Sequence, residues 1–151
     1  MLRRVPLPDL PATEALAGCL APKLAAGDTL LLSGEIGAGK TSFARAVIQA
    51  RLGQDVEVPS PTYTLVQTYS AGPVEIWHAD LYRLGDPDEI VELGLDAAFG
   101  NAICLIEWPE RMGDRVPEDS VMLSFDAGIT SHSVTVSAPD DWGERIEACV
   151  E

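Results

Sequence analysis

Lysine is nearly missing from this chain: among 151 residues only Lys23 and Lys40 carry an ammonium, and ten basic side chains in all stand against 24 carboxylates. The resulting net charge of -14 argues against a broad nucleic-acid face, because an acidic surface repels a phosphate backbone and an anionic membrane alike. It suits docking to a basic patch on another protein, and it would equally serve solubility alone. Long apolar stretches are absent as well. No run approaches the roughly eighteen apolar residues that span a bilayer. The N-terminus lacks the apolar core of a signal peptide, so the cytoplasm is the expected compartment. The three cysteines, Cys19, Cys104 and Cys149, are far apart and form no CxxC pair. Neither a disulfide framework nor a zinc site is expected from them, and all three read as small buried apolar side chains. The length fits one domain, 1–151, able to bury roughly two-thirds of the surface that its unfolded chain exposes, with no room for a second catalytic domain.

What is present is concentrated in one string. Residues 34 to 41 read Gly-Glu-Ile-Gly-Ala-Gly-Lys-Thr, a complete GxxxxGK[ST] phosphate-binding loop. At ordinary residue frequencies the pattern arises by chance in about one chain of this length in two hundred. The flanks sharpen it. Thr29-Leu30-Leu31-Leu32-Ser33 is a short β-type run. After the loop, Phe43, Ala44, Val47, Ile48 and Leu52 keep helical spacing until Gly53 offers a stop. Glycines 34, 37 and 39 let backbone N–H groups turn towards phosphate oxygens, Lys40 reaches the outer phosphates, and the Thr41 hydroxyl suits a Mg²⁺ ligand. The positive end of the helix dipole points at the same charge.

The rest of the chain supplies further elements. Leu16, Leu20 and Leu24 repeat at four-residue steps, predicting a helix over 10–24 with Thr13 as a candidate cap. A Pro-stiffened loop around Pro59 and Pro61 enters a β-type run at 65–69, and residues 74–82 form its partner. Asp86-Pro87-Asp88-Glu89 opens a helix that Gly94 interrupts. Ala102-Ile103-Cys104-Leu105-Ile106 is a continuous apolar run ending in Glu107, as a buried parallel strand does where it meets an active-site edge. Residues 121–126 and 133–138 predict two late strands, and 140–150 a closing helix.

Magnesium keeps near-octahedral oxygen coordination, so a phosphate loop needs a second acid. Glu107 is the candidate, although a Glu at a strand end can also be merely half-exposed. His78 and Asp80 fall two apart on a strand and share a face. If that face borders the nucleotide, Asp80 would orient the attacking water or reach Mg²⁺ through water, while a structural hydrogen-bond pair between the two would satisfy the same pattern. Thr62 lies in a loop placed to meet the γ-phosphate side of Mg²⁺ as switch loops do, or to form an ordinary Pro-Thr turn. Trp108 suits stacking, docking or core packing. No Asn-Lys-x-Asp element for reading guanine is present, which favours ATP.

Taken with the loop, the strings Ser60-Pro61-Thr62-Tyr63-Thr64-Leu65, His78-Ala79-Asp80-Leu81-Tyr82-Arg83-Leu84 and Ile106-Glu107-Trp108-Pro109 stand in the order found in the bacterial TsaE (YjeE) family. The chain resembles these ATPases of tRNA threonylcarbamoyladenosine biosynthesis from Pro6 through about Pro109. The resemblance implies an α/β, single-domain, P-loop NTPase-like three-layer sandwich, its central sheet mainly parallel with antiparallel additions. It implies slow, Mg²⁺-dependent ATP hydrolysis that resets the complex of the TsaB and TsaD partners, with threonylcarbamoyl transfer belonging to TsaD. By motif, Glu35, Ile36, Gly37, Ala38, Gly39, Lys40, Thr41 and Ser42 would bind the phosphates. Thr41 and Glu107 would hold Mg²⁺, and Asp80 with Thr62 would support hydrolysis. Glu35 replaces a frequent Asp and Ser42 a frequent Thr, and neither change removes a required group. The competing expectations are a small-metabolite kinase, which would need an acceptor pocket and usually an Arg-bearing lid, and a nucleotide-gated interaction protein.

Overall fold

A computed structural model of the chain describes residues 1–53, 56–61 and 64–150. Seven strands form one mixed sheet: β1 (Leu2–Leu7), β2 (Thr29–Ser33), β3 (Val66–Ala71), β4 (Val74–Asp80), β5 (Ile103–Glu107), β6 (Val121–Asp126) and β7 (His132–Ser137), in the spatial order β1-β7-β6-β2-β5-β4-β3. The four central strands β6, β2, β5 and β4 run parallel. Outside these four, β3 at one edge and β7 followed by β1 at the other add antiparallel pairings.

Near-continuous apolar sequence puts β2 and β5 in the middle, since only side chains welcome on both faces can be covered by helices on both. Alternation then sorts them. Leu30, Leu32, Ile103 and Leu105 face one layer with α1 (Leu10–Leu20), α2 (Lys40–Leu52) and α5 (Gly143–Val150), where Leu16, Phe43, Val47 and Ile146 pack. Leu31, Cys104 and Ile106 face the other layer with α3 (Glu89–Leu93) and α4 (Leu95–Ala98), together with Met112 from a short 3₁₀ segment.

Three expectations are corrected here. Asp9, not Thr13, caps α1: its carboxylate accepts the Ala12 N–H at 3.0 Å, and Thr13 is buried one turn inside. Strand β1, absent from the expectations, pairs along its length with β7; the arginines and Pro6 that hid it are compatible with an edge position. Cys19 and Cys149 are joined by a disulfide between α1 and α5, 130 residues apart in sequence. Sequence distance concealed this pair because α5 folds back onto α1, bringing their Cα atoms to 5.7 Å. Cys104 is buried and free as expected, and burial pushes its thiol up to about 12.

Candidate functional site

The phosphate loop leaves β2 at its carboxyl end and enters α2 at Lys40. Gly34, Gly37 and Gly39 adopt φ of +136°, +83° and +114°, a region that costs a side-chain-bearing residue strain. At Gly34 there is no room either, since an added Cβ would lie 2.5 Å from the Phe125 carbonyl oxygen. The Lys40 side chain curls back over the loop. Its Nζ donates to the carbonyls of Gly34 and Glu35, the latter at 2.9 Å, and lies 4.2 Å from the centre of the Trp108 ring. Desolvation lowers the Lys40 pKa, and the charges of Glu107, Glu110 and Asp80 oppose that shift.

The facing wall comes from the ends of two neighbouring parallel strands. Asp80 of β4 and Glu107 of β5 are register partners, so both project to the face that carries α2. Glu107 is 1% exposed and holds two contacts: Thr41 donates its hydroxyl to Oε1 at 2.7 Å, and His78 Nε2 lies 2.6 Å from Oε2. The His78 contact is thus to Glu107, not to Asp80 as the shared face suggested. Asp80 accepts the Tyr82 N–H at 3.0 Å. Burial raises its pKa above the ordinary range, partly opposed by that hydrogen bond and reinforced by the Glu107 charge.

Between loop and wall opens a cleft of about 400 Å³, within the range of small-molecule sites. Ile36, Gly37, Gly39, Lys40, Thr41 and Ser42 line one side, with Asp80 and Glu107 opposite. Of the other expected loop residues, Glu35 contributes its carbonyl to Lys40, and Ala38 is buried beneath the loop. Thr62 lies outside the described residues. Sequence reasoning left Tyr82, Arg83 and Ser60 without a role in the cleft, yet all three line it. No strand period places Tyr82 there: β4 ends at Asp80, and Tyr82 lies in the following turn, where its N–H bonds to the Asp80 carboxylate. Trp108 adopts a left-handed backbone, φ 60° and ψ 53°, and its ring lies 5.0 Å from that of Tyr82. That turn brings the indole over the lysine.

A glycine loop between a buried strand and a helix, with Lys and Thr opening the helix and two carboxylates on adjacent strand ends, defines a P-loop NTPase-like α/β protein. The model of the family described as threonylcarbamoyl adenosine biosynthesis protein TsaE matches residues 7–134, beyond Pro109 where the motifs end. The chain belongs to the TsaE family, whose role lies in tRNA threonylcarbamoyladenosine biosynthesis. Proteins described as tRNA threonylcarbamoyladenosine biosynthesis protein TsaE are similar to it in several organisms. That of Rickettsia conorii is 47% identical over 65% of this chain and 56% of its own length; the chain therefore spans little more than half of that relative. That of Haemophilus influenzae is 38% identical over 76% of this chain and 73% of its own, and that of Bacillus subtilis 35% over 92% and 85%. The crystal structure of Bacillus subtilis YdiB superposes with a TM-score of 0.76, at 22% identity, over 99% of this chain and 94% of that one.

Proposed function

We propose that this chain binds ATP with Mg²⁺ in the loop cleft and hydrolyses it slowly, acting in the cytoplasm on a TsaB–TsaD complex to reset it between rounds of threonylcarbamoyladenosine modification of tRNA. The observation that supports this most is the convergence of Lys40, Thr41, Asp80 and Glu107 on one cleft, with the Thr41 hydroxyl already bonded to Glu107.

The residues fit the nucleotide and its ion. Magnesium is commonly bound by one or two protein oxygens together with substrate phosphates and water, and the Thr41 hydroxyl and the Glu107 carboxylate meet at 2.7 Å on the cleft. Thr41 Oγ1 and Glu107 would hold the ion. Bound Mg²⁺ would neutralise charge developing on the outer phosphates. The glycine-loop amides would cradle the phosphates, and Lys40 would exchange the carbonyls of Gly34 and Glu35 for phosphate oxygens. Asp80, which lines the cleft together with Lys40, would orient a water and accept its proton at Oδ2, since Tyr82 engages Oδ1. Thr62 is proposed to assist that step. Threonylcarbamoyl transfer would remain with the partner complex.

The test is ATP turnover by the purified chain, alone and with TsaB and TsaD, with Lys40→Ala as the blank. Turnover that rises with the partners and disappears in the variant is expected. Turnover indifferent to the partners would point instead to a kinase acting on a small hydroxyl acceptor.

A further inference from the structure

His78 is fully buried in the sheet, and its Nδ1 has no hydrogen-bond partner among the described residues. A buried polar atom left without a partner costs stability, so a role in packing alone does not account for an imidazole where an apolar side chain would cost less. Its other nitrogen makes the 2.6 Å contact with Glu107 Oε2. A carboxylate has only acceptors, so the proton in that contact comes from Nε2. With Oε2 held by His78, Oε1 is the oxygen turned to Thr41, whose hydroxyl proton it accepts at 2.7 Å. Thr41 has a single hydroxyl proton, and spending it on Glu107 leaves the Thr41 lone pairs for a cation. Released from His78, the Glu107 carboxylate could rotate, and the Thr41 hydroxyl would be free to point its proton towards the position a cation needs.

We propose that His78 is a positioning residue: through Glu107 it fixes the hydroxyl orientation of Thr41, and so sets the affinity of the cleft for the divalent cation that accompanies the nucleotide. This rests on the nucleotide-binding role proposed above. It assigns His78 no contact with nucleotide or metal. Partners that orient a ligand in this way change metal affinity or activity by roughly 10–100-fold when removed.

The experiment follows binding of N-methylanthraniloyl-ADP by fluorescence, in EDTA and across a Mg²⁺ titration, for the unaltered chain and for His78→Leu, His78→Asn and His78→Gln, with circular dichroism melts to check folding. In His78→Leu and His78→Asn, whose side chains place no donor at Oε2, the Mg²⁺ concentration giving half of the Mg²⁺-dependent affinity gain should rise roughly 10–100-fold. The affinity in EDTA should stay unchanged. His78→Gln, whose amide nitrogen reaches nearly as far as Nε2, should restore the original Mg²⁺ dependence. If His78→Leu fails to fold, the Asn and Gln pair carries the same comparison. A folded Leu or Asn variant with unchanged Mg²⁺ dependence overturns the proposal. So does equal loss of affinity with and without Mg²⁺, failure of Gln to rescue, or collapse of all three variants, each of which marks a merely structural histidine. If the unaltered chain does not bind the nucleotide at all, the nucleotide-binding role falls and the positioning role with it; if it binds the nucleotide but gains no affinity from Mg²⁺, the positioning role alone is overturned.

Discussion

Asp80 ends β4 at 8% exposure, and its carboxyl sits above the ordinary aspartate range first because burial penalises the charge. The sign of the consequence is the reverse of the usual carboxylate case. With a folded pKa above the unfolded one, the native state holds the proton more tightly, so this group's contribution to stability falls as pH rises from the ordinary range through the raised value. At neutral pH, above the ordinary aspartate range, Asp80 therefore costs stability relative to low pH. Asp80→Asn keeps an acceptor for the Tyr82 N–H and removes the charge. Its thermal midpoint at pH 7 should be at least that of the unaltered chain, and the advantage should vanish below the ordinary aspartate range, where the unaltered side chain is neutral in both states. Loss of a general base should meanwhile lower ATP turnover about 10²–10⁴-fold. Melts across pH, paired with turnover at pH 7, check both halves; a destabilised variant at pH 7 would contradict the burial cost.

At the scale of elements, the loop and the sheet edge divide the work: the loop supplies backbone donors, and the strand ends supply acids. Gly34→Ala attacks the first through a φ of +136° and a Cβ placed 2.5 Å from the Phe125 carbonyl. Relief requires moving β6 away from the loop, so nucleotide binding measured by titration should be lost, with a fall in stability of more than about 1–3 kcal/mol, since steric overlap adds to the strain of the backbone alone. By contrast Gly37→Ala meets nothing within 4 Å and carries conformational strain only, so its defect should be the smaller. The disulfide between α1 and α5 closes a loop of 130 residues. Replacing Cys19 and Cys149 by Ser should cost about 2–4 kcal/mol in denaturant unfolding, and reducing agent should bring the unaltered chain to the same midpoint. What could be read from the sequence follows the strength of local pattern. Strand, loop and helix from Thr29 to Leu52 were legible because glycine positions and apolar spacing are local signals, and Glu107 because an apolar run ended in an acid. The contact of His78 with Glu107, the lysine beneath Trp108 and the Cys19–Cys149 bond were not. Each depends on which elements become neighbours, which strand order, a left-handed turn at Trp108 and the docking of α5 decide.

Across the whole molecule, charge is the least evenly balanced property: 24 carboxylates against ten basic side chains, with Lys40 buried in the cleft. Several of the arginines are already engaged. Arg115 binds Asp88, Arg145 binds Asp28, and Arg51 donates to the carbonyls of Ala21 and Leu24. The field outside the molecule is therefore negative, and it can only attract a partner that presents basic surface. If association with the proposed TsaB–TsaD complex uses this field, encounter should be faster than for a neutral surface and should slow as salt shortens the screening length from about 10 Å at 0.1 M to about 3 Å at 1 M. Dissociation, governed by contacts already formed, should change much less. Stopped-flow association between 0.05 and 0.5 M salt separates the two uses of the charge: an on-rate falling by about tenfold or more, within the range that steering contributes, is the expected outcome. A flat on-rate would leave the acidic surface with solubility as its only role, and partner choice would then have to come from shape and apolar contact, for which the exposed Ile36 in the phosphate loop and Ile129 beyond β6 are the first side chains to replace.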